Sequence, residues 1–117
     1  PGRRGALEGG QTASLIGFRQ EIDKYRTNIS VTNGGTIDAQ VAISLFDTAG
    51  NAITNFTITV PAGLVVQDIE PFKARANAPN LGWGFATVTV VSGKNVRTSA
   101  SVIDAVTGDP TTIPGKQ

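Results

Sequence analysis

The chain contains no cysteine, no histidine and no methionine. Without cysteine it can form no disulfide, no thiolate zinc site and no cysteine nucleophile. Without histidine it also lacks the commonest metal ligand and general base. We therefore expect a protein that is not an enzyme and that uses no metal and no cofactor.

Charge is also scarce, since only 16% of the residues are charged and the net charge is +1. Nucleic acids and anionic membrane surfaces are bound by basic patches, so neither is an expected partner. No apolar run approaches the roughly 18 to 20 residues of a membrane span. Weak self-repulsion suits a protein that packs against copies of itself.

What the chain does contain favours strands. Hydrophobic residues make up 39% of its 117 residues, and valine, isoleucine and threonine are prominent among its side chains. β-branched side chains pack well on a pleated surface. A chain of this length is expected to form one domain. Because it starts at Pro1 rather than at methionine, we expect a processed mature protein or a fragment.

Alternation of apolar and polar residues recurs at the short intervals typical of an all-β sandwich. Turn signals such as Asn33-Gly34-Gly35 separate the alternating runs, because glycine reaches positive φ at little cost. The pattern predicts an immunoglobulin-like antiparallel β-sandwich of seven or eight strands, with one helical turn near 72–76. The predicted strands are 13–19, 25–32, 37–46, 52–60, 64–69, 83–92, 96–103 and 111–114.

Carboxylates occur in two arrangements that deserve a chemical interpretation. Asp47 and Asn51 flank a glycine as in a calcium loop, but the full set of alternating oxygen ligands is absent. A hairpin turn explains that spacing better. Asp68 and Glu70 lie two residues apart, as a hydrolytic pair could, but solvated charges at a strand edge are the simpler interpretation.

The single tryptophan, Trp83, stands between glycines and could stack on a sugar. A tryptophan in a sandwich is more often a packing residue. Two sequons, at Asn28 and Asn55, would permit glycosylation if the host makes N-glycans. Both asparagines are predicted on the outward faces of their strands.

Four stretches resemble a β-sandwich module of bacterial secreted and surface proteins. They read LIGFRQEIDKYRTNISVTNGG, VAISLFDTAGNAI, ITVPAGLVVQDIEPF and SASVIDAVTGDPTTIP. The resemblance covers roughly residues 15–114. It implies an immunoglobulin-like sandwich in an exported, extracellular or cell-surface protein, and it supplies no catalytic residues to carry over.

The first dozen residues, which precede the resemblance, are glycine-rich and weakly apolar. We divide the chain into an N-terminal arm, residues 1–12, and a β-sandwich domain, residues 13–117. An edge strand of a sandwich can accept a strand from another chain. The subunit interface would then use apolar side chains of the arm and of the first strand, namely Leu7, Ala13, Leu15, Ile16 and Phe18.

The leading hypothesis is a structural subunit of an extracellular, pilus-like bacterial filament, joined to its copies by strand donation from the arm. A contact between two different patches that does not close produces an open helical polymer. The alternative is a surface adhesion or carbohydrate-binding module that uses Trp83 and the 70–82 loop to hold a surface glycan. A third possibility is an accessory domain of a larger enzyme.

Overall fold

The computed structural model describes residues 6–78 and 80–116, which form two four-stranded antiparallel sheets. The elements are β1 (Thr12–Gln20), β2 (Tyr25–Asn33), β3 (Ala39–Asp47), β4 (Ala52–Val60), β5 (Val65–Asp68), α1 (Pro71–Ala74), β6 (Gly82–Ser92), β7 (Val96–Asp104) and β8 (Pro110–Pro114). The first sheet has the strand order β1-β6-β3-β4 and the second has the order β5-β2-β7-β8. The prediction of an all-β sandwich with seven or eight strands is confirmed.

The core is built by the inward-facing half of each alternating strand. Phe18, at the end of β1, packs its ring edge-to-face on Phe72 with the ring centroids 5.7 Å apart. Phe72 lies in the single turn of α1 and seals the core at that end. In the described residues, no helix is long and apolar enough to cross a membrane.

A bulge at Gly17 decides which side chains of β1 face inward. Simple alternation predicts that Ile16 and Phe18 share a face. The pairing of β1 with β6 shifts register between these two residues, and Gly17 takes a φ of 97°. The shift turns Phe18 inward beside Leu15, both fully buried, and leaves Ile16 exposed.

Asn33, at the end of β2, forms hydrogen bonds with residues near the ends of three other strands and sets where β3 begins. Its buried side-chain amide donates hydrogen bonds to the carbonyls of Ile37 (2.8 Å) and Val60 (2.9 Å), and its Oδ1 accepts one from the Gly35 amide. Its backbone also pairs with Gly63 and Leu64. Residues 34–38 are therefore held as a loop, which corrects the prediction that Ile37 belongs to the strand; its side chain is 58% exposed.

The position after Trp83 has no space for a side chain, which explains the glycine at 84. A Cβ added at Gly84 would lie 2.8 Å from the Phe46 carbonyl oxygen and 3.2 Å from the Phe72 ring. Strands β3 and β6 can close over α1 only if this position has no side chain.

Candidate assembly surfaces

The described part of the N-terminal arm lies on its own chain. Leu7 is 1% exposed and fills the end of the core between the two sheets. Its amide donates to the Val96 carbonyl at 2.6 Å, and the Val96 amide donates back at 2.9 Å. Residues 1–5 of the predicted arm lie outside the described residues.

Four of the five predicted interface residues are core residues of this chain. Ala13, Leu15 and Phe18 lie inside the sandwich with Leu7, while Ile16 is 66% exposed. β1 is an integral strand of its own sheet, so Ala13, Leu15 and Phe18 are buried within this chain, and of the predicted interface residues in β1 only Ile16 is exposed to a neighbour.

A short glycine turn divides the arm into two parts. The Gln11 amide donates to the Glu8 carbonyl at 2.9 Å, and the Glu8 amide donates to the Gln11 side chain at 3.0 Å. Gly9 and Gly10 form the exposed tip, with Gly10 at a φ of 89°. We call residues 6–8 the docking segment; it is joined to β1 through this turn, where glycine permits large backbone rotations.

Lys116 and Thr27, which lie outside the first sheet, form hydrogen bonds with the backbone of its β1 edge. The Ser14 amide donates to the Lys116 carbonyl at 2.6 Å, and the Lys116 amide donates back at 2.9 Å. Farther along, the Thr27 hydroxyl donates to the Arg19 carbonyl and accepts from the Arg19 amide. Together with the bulge at Gly17, these contacts protect β1 from pairing with another chain.

Both edge strands of the second sheet are short. β5 has four residues, and β8 has five with proline at each end. Proline lacks the N–H that a ladder needs, and short edges offer few bonds.

The β4 edge is less protected than the other edges in the described structure. It has a bulge at Ile53, where the pairing with β3 shifts from Thr54 to Ala52, but over residues 54–60 its pairing is regular. β4 spans nine residues, AITNFTITV, with no charge, no proline and no glycine. On its inner face Phe56 and Ile58 pack against the core but stay partly exposed. The guanidinium of Arg75 lies 3.9 Å above the Phe56 ring and is held there by a 2.7 Å ion pair with Asp68.

An aromatic surface covers one end of the first sheet's outer face. Ile16, Phe85 and Phe46 lie side by side on three neighbouring strands. The rings of Phe46 and Phe85 stack with centroids 4.7 Å apart. Trp83, two residues before Phe85, is 51% exposed on this face. The structure thus places Trp83 on the surface and not in the core.

Arg19 fixes the orientation of Trp83. Its guanidinium lies between two rings, 3.8 Å from the centroid of Tyr25 and 4.6 Å from that of Trp83. A 2.6 Å ion pair with Glu21 restrains the same group. Cation–π contacts of this kind hold an exposed ring in place.

The two sequons differ in accessibility. Asn28 is 7% exposed, and its Oδ1 accepts a hydrogen bond from the Glu70 amide where the chain after β5 turns back against β2. Asn28 therefore alternates as an outward residue but is covered by the chain near Glu70, and a glycan there would have to displace that segment. Asn55 is exposed and lies on the open β4 strand, where a glycan would shield that edge.

The carboxylates are committed to structural contacts. Asp47 accepts hydrogen bonds from the amides of Asn51 (2.9 Å) and Ala49 (3.0 Å), and the Asn51 backbone bond chiefly holds the pKa of the Asp47 carboxyl below its usual value. Asp68 pairs with Arg75, whereas Glu70 accepts from the Gln20 side chain. Within residues 6–78 and 80–116, no cluster of three potential metal ligands occurs.

Comparison with known proteins supports the fold. No family model and no curated protein matches the chain. The structure of Thermotoga maritima 1070 superimposes with a TM-score of 0.70 at 9% identity, over 95% of this chain and 97% of that one. The Anabaena sensory rhodopsin transducer gives a TM-score of 0.58 at 16% identity, over 79% of this chain and 98% of that one.

FlgD from P. aeruginosa aligns over 93% of this chain and 73% of its own, at 10% identity. Its TM-score of 0.40 is too low to indicate a shared fold. The first two likenesses show the fold alone, because their sequence identities are so low. The resemblance to bacterial secreted modules is therefore supported in its β-sandwich architecture, and export stays a prediction.

Proposed function

We propose that this chain is a non-catalytic structural subunit of an extracellular bacterial filament. The docking segment of one copy packs on the next copy in the way that it packs on its own chain here, with Leu7 buried beside Val96. The donated part is then the docking segment, residues 6–8, and not the whole arm. β1 stays in its own sheet. Only the docking segment changes partner.

The observation that supports this proposal most directly is the construction of the docking segment. The buried Leu7 side chain and a pair of backbone hydrogen bonds to Val96 hold it, and in the adjoining turn the Gly9 and Gly10 amides donate to the Gly93 (3.0 Å) and Val90 (2.8 Å) carbonyls. Burying a leucine contributes about 1.5–3 kcal/mol, and each hydrogen bond nets about 0.5–1.5 kcal/mol. The same Leu7 and Val96 contacts can form within a chain or between chains, so exchange needs only the two hydrogen bonds of the glycine turn to break or to re-form on the neighbour.

Exchange of this kind can produce open polymers. The donated segment and the site that receives it are different patches of the molecule, so two copies can exchange reciprocally and close as a dimer, or each copy can donate to one neighbour and accept from another; the filament requires the second arrangement. Such a heterologous contact extends indefinitely unless its geometry closes a ring. The low net charge of +1 imposes little repulsion between copies.

Replacing Leu7 by serine tests the proposal. We expect electron micrographs of the purified chain to show filaments and those of the Leu7→Ser variant to show dispersed particles, because the knob that anchors the segment is lost. Ile16→Ser is the matched control, since Ile16 is exposed, and its filaments are expected to match those of the unchanged chain. Circular dichroism must show folded strands in both variants.

Filaments that form normally with Leu7→Ser would contradict exchange of the docking segment. Dispersed particles of the unchanged chain at every concentration would contradict the filament itself.

The exposed aromatic surface favours a second candidate, a surface adhesion module that binds carbohydrate. Trp83 is presented by Arg19 beside the stacked Phe46 and Phe85 rings. Trp83→Ala is expected to abolish retention on insoluble polysaccharides while leaving the melting temperature nearly unchanged. Val91→Ala, at the other end of the same strand and 61% exposed, is the control. Equal retention of both variants and the unchanged chain would exclude Trp83 as the ligand contact.

A further inference from the structure

The regular part of the β4 edge, residues 54–60, points to a second contact between copies. We propose that β4 pairs antiparallel with β4 of a second copy, about a twofold axis near Phe56. The β1-β6-β3-β4 sheets of the two copies would then join edge to edge into one continuous sheet across the dimer. This contact is independent of the docking segment, because it uses the opposite edge of the first sheet from β1.

Several apolar side chains of β4 are only partly covered in the single chain. Phe56, Ile58 and Ile53 all pack against the core cluster yet remain partly exposed. An arginine, not an apolar side chain, covers the Phe56 ring. A strand hydrogen-bonded along β4 would bury these side chains further and satisfy the outward-pointing amides and carbonyls of the edge.

The charge pattern selects β4 itself as the partner strand. In a twofold antiparallel pair, each outward side chain lies beside or diagonal to its own equivalent, so any charge would meet a like charge. β4 itself carries none, since its exposed outward side chains are Asn55, Thr57 and Thr59. The guanidinium of Arg75, which lies over Phe56 near the axis, is paired with Asp68. Both strands also present their apolar residues to the same side, so the two cores become continuous.

The N-terminal arm of another copy fits this edge less well. In the sequence PGRRGALEGGQ only Leu7 is a large apolar residue, and no alternation follows it. A strand added at β4 needs apolar side chains at every second position to cover Phe56 and Ile58. β4 of a second copy supplies them.

Charge-swap variants test this pairing. One variant carries Asn55→Lys with Thr57→Lys, and its counterpart carries Asn55→Glu with Thr57→Glu. Each alone places like charges across the twofold axis, so we expect the dimer dissociation constant from sedimentation velocity to rise about tenfold or more. An equimolar mixture places lysine opposite glutamate and is expected to restore association.

Two controls separate this inference from the proposed function. Thr111→Lys with Thr112→Lys adds the same charge to the exposed β8 edge and is expected to leave the dissociation constant unchanged. The full set is measured both in the unchanged chain and with Leu7→Ser, which removes exchange of the docking segment but leaves β4 intact. A dimer that persists with Leu7→Ser and responds to the charge swap supports β4 pairing even if filaments are never seen.

Three results would overturn the proposal. The first is a monomer at every concentration with Leu7→Ser. The second is an unchanged dissociation constant in both charged variants. The third is weakened association that mixing does not restore, which would mean that a different segment occupies the edge.

Discussion

Replacing Phe18 by alanine is expected to lower the free energy of unfolding of the isolated chain by about 3–5 kcal/mol. Phe18 is fully buried and meets Phe72 edge-to-face. Alanine would remove the ring's contacts and leave a cavity that the two sheets cannot collapse around. Urea unfolding followed by tryptophan fluorescence measures the loss.

Ile16→Ala is the matched control for this prediction. Ile16 belongs to the same strand but is 66% exposed, so its truncation is expected to change stability by no more than about 0.5 kcal/mol. Comparable, small effects at both positions in the isolated chain would mean that β1 does not belong to its own core. The account of the fold around β1 would then be wrong.

Local alternation predicts most of this fold. The strand β4 is predicted with the limits that the structure shows, and the inward set Val96, Thr98, Ala100 and Val102 of β7 is buried throughout. Alternation is reliable here because a one-residue slip would expose every buried side chain of a strand. The eight strands therefore follow from the sequence with little help from tertiary structure.

Features that depend on distant contacts are not predicted. Asn33 reads as the start of a turn, but its side chain also reaches the end of β4, which no local pattern reveals. Asn28 alternates as an outward residue and is nevertheless covered by the chain near Glu70. The inward turn of Phe18 depends on the bulge at Gly17, whose glycine is visible in the sequence while its register shift is not.

The candidate assembly site shows the same division. Leu7 stands out in the sequence as the large apolar residue of the arm, but its seat against Val96 requires the fold. The absence of charge from β4 is readable in the sequence. That β4 is an edge strand is not, because strand order is set by how the chain crosses between sheets. Sequence reasoning therefore does not single out the β4 edge, and four of the five interface residues that it predicts are buried within the single chain.

Paired cysteines are expected to show directly which copy holds the docking segment. Leu7 and Val96 exchange both backbone hydrogen bonds, so their Cα atoms lie at the roughly 5.5 Å spacing of such a pair, within disulfide range. The chain has no native cysteine, and cysteine, unlike the serine of Leu7→Ser, keeps a small apolar side chain at position 7. Leu7→Cys with Val96→Cys therefore introduces one defined link without a polar group in the buried site. Thr12→Cys with Thr89→Cys, where the hydroxyls are 2.8 Å apart, is the control within β1 and β6.

Non-reducing electrophoresis of the oxidised, concentrated protein is the most direct measurement of segment exchange. The account predicts a ladder of covalent multimers for the 7–96 pair and monomers for the 12–89 pair, because only the docking segment changes partner. Monomers from both pairs would show that the docking segment stays on its own chain, and exchange as the basis of assembly would be contradicted.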